Sequence, residues 1–265
     1  MDPATPSTTP ERPSLPFGDR PRQRPYGPAL IGWLLVGALL ASLAFAQPNP
    51  DLLAAQRRTM VEEQIVRRGV RDRAVLSAMR DVPRHLFVPT AWAAHAYRDQ
   101  PLPIGYEQTI SQPYIVALMT ELLALGKNSK VLEIGTGSGY HAAVLSRVAG
   151  RVFTIEIVKD LGLRARHTLE MLGYDNVTVR VGDGYRGWKE EAPFDAIILT
   201  AAPPEVPEPL LQQLKVGGRM VLPEGAGKIQ ELLVITKTER DIERQRVAAV
   251  RFVPMTGEVE ARRER

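Results

Sequence analysis

The stretch VLEIGTGSGY, residues 131–140, decides the fold. It continues a short β-branched run and leads into YHAAVLSRVA, which has helical spacing. Gly135, Gly137 and Gly139 alternate between the two, so the backbone can turn tightly and a ligand can come close to it. A strand, a glycine loop and a helix in that order place a nucleoside or dinucleotide ligand on a helix N-terminus. The glycines alone do not choose the cofactor. An offset frame, Gly137-x-Gly139-x-x-Ala142, also fits a dinucleotide fingerprint.

The acids around the loop narrow the choice. Glu133, at the end of the first strand, would repel a pyrophosphate but suits a cation such as the ammonium or sulfonium of S-adenosyl-L-methionine. The next strand, RVFTIEI, ends near Glu156, about twenty residues past the loop, where a carboxylate takes ribose hydroxyls. The third runs into VGDG and sets Asp183 at the same edge, on the side where adenine would lie. Three carboxylates at three successive strand ends favour an S-adenosylmethionine-dependent methyltransferase. A nicotinamide oxidoreductase is the competing reading.

Working outward, short β-branched runs alternate with helical segments from Lys130 onward. They are KVLEIG, RVFTIEI, VTVRVGDG, FDAIILT, RMVLPEG, QELLVITKT and AAVRFVPM. The helical segments between them include DLGLRARHTLEMLG and PEPLLQQLKVGG. This alternation predicts an α/β fold with a mostly parallel sheet and helices on both faces. The last strands follow one another without a helix, so an antiparallel edge is expected. Upstream, residues 51–100 read as helical: LLAAQRRTMVEEQIVRRG, residues 52–69, is amphipathic and closed by Gly69, and DRAVLSAMRDV is a second helix that stops at Pro83. PRHLFVP and AAHAYRDQPLPIG read as irregular connections.

The first fifty residues have a different character. Residues 1–28 are rich in Pro, Ser, Thr and Arg and read as disordered. Residues 29–46, ALIGWLLVGALLASLAFA, are uncharged and apolar, follow Arg20, Arg22 and Arg24, and end in an A-x-A pattern. They read as a signal peptide or a membrane anchor, with a buried helix as the alternative. A start at Met60 would leave the segment unmade. Residues 47–51 are a linker, and residues 52–265 form the catalytic domain.

Composition excludes several chemistries. The 265 residues include no Cys, which removes disulfides, thiolate metal sites and Cys nucleophiles. His85, His95, His141 and His167 are scattered without an HExxH pattern, so no metal site is expected. A net charge of +4 without a basic stripe and interleaved aromatics argues against nucleic acid as a partner.

From about Leu52 onward the chain resembles the protein-L-isoaspartate (D-aspartate) O-methyltransferases. The match rests on MVEEQI, VPRHLFVP, LPIGYEQTISQPYIVALMTELL, VLEIGTGSGY, GDGYRGW, PFDAIILTAAPPEVP, LKVGGRMVLPEG and VRFVP, in order. TISQP and FDAIILTAAPPE are the most specific. The resemblance implies a Rossmann-like methyltransferase fold, with a doubly wound seven-stranded sheet whose last two strands are in altered order, and an N-terminal helical extension. It implies methyl transfer from S-adenosyl-L-methionine to the free α-carboxyl of isoaspartyl and D-aspartyl residues in damaged proteins, opening their repair through a succinimide. Another Rossmann-fold carboxyl or small-molecule methyltransferase is the alternative.

Carried over by position, Ser111 matches the active-site serine. Thr109, Ile110, Glu133, Gly135, Gly137, Glu156, Asp183, Gly184 and Thr256 match cofactor contacts. The family implies isoaspartyl proteins and peptides as partners, a monomer, and a cytoplasmic location. Residues 29–46, if translated and used, imply a periplasmic or inner-membrane-tethered protein instead. Where many relatives have a second Gly in the loop before QT, this chain has Glu107.

A carboxylate with a pKa near 4 is already ionised at neutral pH, so attack on a sulfonium methyl needs no general base. The protein has to align oxygen, carbon and sulfur and exclude water. Ser111 is therefore expected to orient the carboxylate by a hydrogen bond, and it also stands where a cap for the helix from Pro113 to Leu123 would stand. His85 and His141 are expected to be packing or surface residues, Trp188 a loop anchor, and Glu205 a cap near Pro207.

Overall fold

The computed structural model describes residues 50–263. The segments 1–28 and 29–46, and most of the linker 47–51, lie outside these residues. Among the described residues no helix is long and apolar enough to cross a membrane.

The chain enters through α1 (Pro50–Thr59), which widens into a π turn (Met60–Ile65) and then tightens into a 3₁₀ turn (Val66–Arg68). Gly69 ends this run at φ +103°, a left-handed conformation that glycine adopts without a Cβ penalty. In α2 (Arg73–Asp81) Asp72 is the cap and accepts from the N–H groups of Ala74 and Val75 at 2.8 and 3.0 Å. Two further 3₁₀ turns, Arg84–Phe87 and Thr90–His95, lead to a small antiparallel hairpin of β1 (Leu102–Gly105) and β2 (Gln108–Ile110). The sequence reading took this hairpin for an irregular connection, because Pro101 and Pro103 mask strands this short.

After α3 (Pro113–Leu122) the doubly wound part begins. It runs β3 (Lys130–Ile134), α4 (Tyr140–Val148), β4 (Arg151–Glu156), α5 (Lys159–Met171), β5 (Val177–Val181), β6 (Phe194–Leu199), α6 (Glu208–Gln213) and β7 (Leu214–Glu224). The strands β8 (Gln230–Lys237) and β9 (Ile242–Val250) and the helix α7 (Glu258–Arg263) complete it. The seven-stranded sheet has the order β5-β4-β3-β6-β7-β8-β9. It is parallel from β5 through β7 and antiparallel from β7 to β9. The antiparallel edge expected from the sequence is present, formed by strands joined in chain order.

Two boundaries differ from the sequence reading. PEPLLQQLKVGG was read as one helix, yet α6 stops at Gln213 and β7 starts at Leu214. AAVRFVPM was read as the last strand, whereas β9 starts at Ile242 and ends at Val250. Its first half, IERQR, is mostly exposed on the edge strand and so carries no apolar signal.

Alternation along the strands splits the core into two layers. Val131, Val152, Ala196 and Ile198 face the layer that holds α2, α3 and α4. Leu132, Ile134, Phe153, Ile155 and Ile197 face the other, with Trp188 and with Leu210 and Leu211 of α6. Each side chain buried this fully contributes about 1.5–3 kcal/mol. The parallel strands all deliver their carboxyl ends to one edge, and the site lies there.

Candidate active site

At that edge opens a cavity of about 820 Å³, its mouth included. The glycine loop and the end of β4 make one wall. The residues Gln108, Thr109, Ile110 and Ser111, leaving the hairpin, make the opposite one, and Val253–Thr256 close a third side.

The glycine loop is shaped by close contacts. Gly135 lies at φ +98°, and a Cβ there would sit 2.3 Å from Oγ1 of Thr200. That hydroxyl donates to the carbonyls of Gly135 at 2.6 Å and Ile134 at 3.1 Å, which pins the loop to the end of β6. Gly137 and Gly139 also have positive φ, +55° and +86°, and Gly139 caps α4. Gly184 is required for a different reason, since a Cβ would meet Cγ2 of Ile134 at 2.4 Å.

The three acids singled out in the sequence occupy three different environments. Glu156 lines the cavity and is nearly buried. Its carboxylate accepts from the N–H of Gly137 at 2.7 Å and of Val158 at 2.9 Å. The loop N–H that would cradle a phosphate is thereby already held by a negative charge, which disfavours a dinucleotide and leaves the carboxylate's other lone pairs for hydroxyl donors. Glu133 does not line the cavity. It is fully buried behind the loop, where Oε2 accepts from the Thr154 hydroxyl at 2.5 Å and Oε1 has no partner among the described residues. Burial, and then the nearby charge of Glu156, push its carboxyl up to about 8. Asp183 is exposed, accepts from the N–H of Tyr185 at 2.8 Å, and caps α7 by accepting from the N–H of Glu258 at 2.7 Å. It stands beside the cavity, while the adjacent Gly184 lines it.

On the facing wall, Thr109, Ile110 and Ser111 all line the cavity. Ser111 is not the helix cap. The N-cap of α3 is Gln112, without a side-chain bond, and Pro113 takes the first helical position. The Ser111 hydroxyl bonds to no described protein group and remains available to a ligand. Thr256 lines the third side, carried there by a segment tied to the loop after β6. Ala202 donates to the Val253 carbonyl, and Met255 donates to that of Ala202, both at 2.8 Å.

Sequence reasoning missed several wall residues. Thr136 and Ser138 are the variable positions inside the glycine pattern, and that position was their signal. His141 also lines the cavity but is buried. Thr120 donates its one hydroxyl hydrogen to the Val116 carbonyl at 2.7 Å, so it accepts from Nε2–H of His141 at 3.0 Å. Burial lowers this imidazole to about 3, so it is neutral and is no acid catalyst near neutrality. Trp188 is an anchor: its backbone N–H donates to Oε1 of Gln213 at 2.7 Å, and its ring lies under the Arg180 guanidinium. Glu205 makes no cap, since Pro207 holds that place without a side-chain bond.

The chemistry of this cavity is one of binding and alignment. One wall offers the Glu156 carboxylate and closely packed glycines, and the other offers two unengaged hydroxyls.

Comparison with known proteins agrees with this geometry. The profile of the Protein-L-isoaspartate(D-aspartate) O-methyltransferase (PCMT) family matches residues 55–260. A protein-L-isoaspartate O-methyltransferase from Picosynechococcus sp. is 56% identical over 207 residues, covering 78% of this chain and 93% of that protein. Protein-L-isoaspartate O-methyltransferase 2 of Shewanella sediminis is 58% identical over 202 residues, covering 76% and 83%. Among solved structures, a protein-L-isoaspartate O-methyltransferase superposes with a TM-score of 0.71 at 32% identity, over 78% of this chain and 69% of that one. A Plasmodium falciparum structure described as a beta-aspartate methyltransferase (PCMT), in complex with S-adenosyl-L-homocysteine, gives 0.66 at 27% identity, over 76% and 98%. With its sheet order, its glycine loop and the run of matched residues all in agreement, the chain belongs to the protein-L-isoaspartate (D-aspartate) O-methyltransferase family.

Proposed function

We propose that this protein methylates the free carboxylate of damaged residues in proteins, the α-carboxylate of L-isoaspartyl and the β-carboxylate of D-aspartyl residues. The following backbone nitrogen then attacks the ester carbonyl and expels methanol, closing a succinimide whose hydrolysis returns part of the material to aspartate. The observation that carries this reading is the facing of two walls across one cavity. A glycine loop held by Glu156 stands on one side, and the unengaged Ser111 hydroxyl on the other. The residues fit the cofactor: Glu156 lines the cavity with lone pairs to spare, and the loop beside it carries no side chain at Gly135 and Gly137.

S-Adenosyl-L-methionine supplies a methyl carbon that the carboxylate oxygen attacks as the carbon–sulfur bond breaks, with no proton to move. Ser111 donates a hydrogen bond to the substrate carboxylate and fixes which oxygen faces that carbon. Thr109, Ile110 and Thr256 shape the passage and exclude water. Glu156 takes ribose hydroxyls, Gly135 and Gly137 give the cofactor close access to the backbone, and Asp183 with Gly184 borders the adenine. The partners are isoaspartyl proteins and peptides, and the protein works as a monomer. Residues 52–265 form the catalytic domain behind a 1–28 tail, a 29–46 signal or anchor and a 47–51 linker. The domain acts in the cytoplasm, where its cofactor is made, and N-terminal sequencing of the native protein decides how residues 29–46 are used.

The direct test is transfer of tritium from labelled S-adenosyl-L-methionine to an isoaspartyl peptide and to its aspartyl twin. Labelling of the first alone is expected. Equal labelling of both, or of neither, would refute the proposal.

A further inference from the structure

Glu133 is fully buried at the end of β3, and among the described residues no cation bonds to it. Its Oε1 has no partner, and its Oε2 meets only the hydroxyl of Thr154. A carboxylate in such surroundings avoids the cost of an unpaired charge by holding a proton. The groups around it strengthen that preference. On β4 the nearest titratable neighbour is Glu156, a like charge, and on β6 the residue paired with Glu133 is Ile198. The first turn of α4, packed on the same face of the sheet, brings His141, which is neutral. Burial first, and Glu156 second, keep the Glu133 carboxyl near 8.

The structure also provides a way out for that proton. Oγ1 of Thr154 lies 2.7 Å from Oγ1 of Thr136, and Thr136 lines the cavity. Three oxygens therefore form a line from the buried acid to a residue of the cavity wall. The bond in which Thr154 donates to Oε2 belongs to the ionised carboxylate; with Glu133 protonated it reverses, Oε2–H donating to Thr154 and Thr154 to Thr136. When the proton leaves, Thr154 takes it from Glu133 and passes its own to Thr136. Thr136 in turn passes its own to water in the cavity. Both hydroxyls end intact, now donating toward an ionised Glu133.

We propose that Glu133 is a proton-exchanging counter-ion, protonated while the cavity is empty and ionised when a cationic cofactor seats, so that cofactor binding expels a proton through Thr154 and Thr136. The proposal rests on the reading of the cavity as an S-adenosyl-L-methionine site. It adds that the site's negative charge appears only with the ligand that needs it.

Calorimetric titration of the full chain with S-adenosyl-L-methionine between pH 6 and 7, in buffers of different ionisation heat, counts the protons. Release close to one proton per bound cofactor is expected, with the Kd falling close to tenfold per pH unit. In Glu133→Gln the binding heat should be independent of buffer and the Kd level with pH. Binding by the native chain without proton release, or release that persists in Glu133→Gln, would overturn the proposal while leaving the methyltransferase reading in place. No binding at any pH defeats that reading itself. Should Glu133→Gln fail to fold, infrared difference spectra of the native chain serve instead. A protonated-carboxyl band should bleach when the cofactor is added, and no bleach overturns the proposal.

Discussion

The glycine loop and the hairpin each lead into a wall of the cavity, and both carry the chain through positive φ. The glycine loop does so at +98°, +55° and +86°, at Gly135, Gly137 and Gly139. The hairpin does so at Gly105 (+92°) and then at two residues with side chains, Tyr106 (+53°) and Glu107 (+57°). Left-handed backbone costs a residue with a Cβ about 1–2 kcal/mol. In the glycine loop no side chain could repay this cost, because Thr200 stands 2.3 Å from where the Cβ of residue 135 would be. In the hairpin the Tyr106 hydroxyl donates to Asp160 at 2.7 Å, and Arg164 lies over its ring while donating to the Ile104 carbonyl at 3.1 Å. One wall is fixed by steric necessity and the other by side-chain contacts that offset strain. The first is a rigid seat, whereas the second can be retuned.

The largest effect should come from adding a Cβ to the rigid wall. Gly135→Ala is expected to weaken cofactor binding by more than about 100-fold and to lower stability by about 2–3 kcal/mol, read by calorimetry and by denaturant unfolding. Intact binding would show that the loop is as adaptable as the hairpin.

On the facing wall, Ser111→Ala should lower kcat toward an isoaspartyl peptide by about 10–100-fold while the cofactor Kd stays within about twofold. Unchanged turnover would remove Ser111 from the alignment of the carboxylate.

Behind the rigid wall, the Glu133 carboxyl is raised above its ordinary 4.5 to about 8. The empty protein binds this proton more tightly than the unfolded chain does. Its stability is therefore fully present below about pH 4.5 and is lost as the pH rises toward 8. Urea unfolding without cofactor should find Glu133→Gln more stable than the native chain at pH 8, by about 3–4 kcal/mol, and this advantage should shrink to about 1 kcal/mol or less by pH 5.

The smallest effect belongs to the strained turn. Glu107→Gly should raise stability by up to about 1 kcal/mol, a few degrees in Tm, with turnover unchanged. A loss of stability would mean that Glu107 contributes more than its backbone costs.

The same contrast explains what could be read from the sequence. Glycines demanded by sterics announce themselves, so the loop, the strand before it and the helix after it were legible, as was Gly69 at the end of the first helical run. Contacts between distant side chains do not. Nothing near Tyr106 in the chain points to Asp160, and the hairpin itself was hidden by two prolines. The acids show a subtler limit. Their position at strand ends was readable, but one carboxylate facing the cavity, one sealed behind the loop and one capping α7 differ only in burial and partners. Ser111 was legible as a hydroxyl at a helix start. That Gln112 takes the cap, leaving the hydroxyl unengaged, shows only in the backbone geometry at the start of α3.

The cavity's third wall, Val253–Thr256, comes after β9, the last strand of the sheet, and reaches back to the loop after β6. Assembly of the sheet and assembly of the site are thus separate events in the life of a growing chain. A polypeptide that has left the ribosome only as far as Val250 can complete all seven strands and still lack a closed pocket. Proteolytic trimming at the same point would leave a well-folded body unable to shield a bound cofactor from water, so an intact fold does not by itself certify a working enzyme.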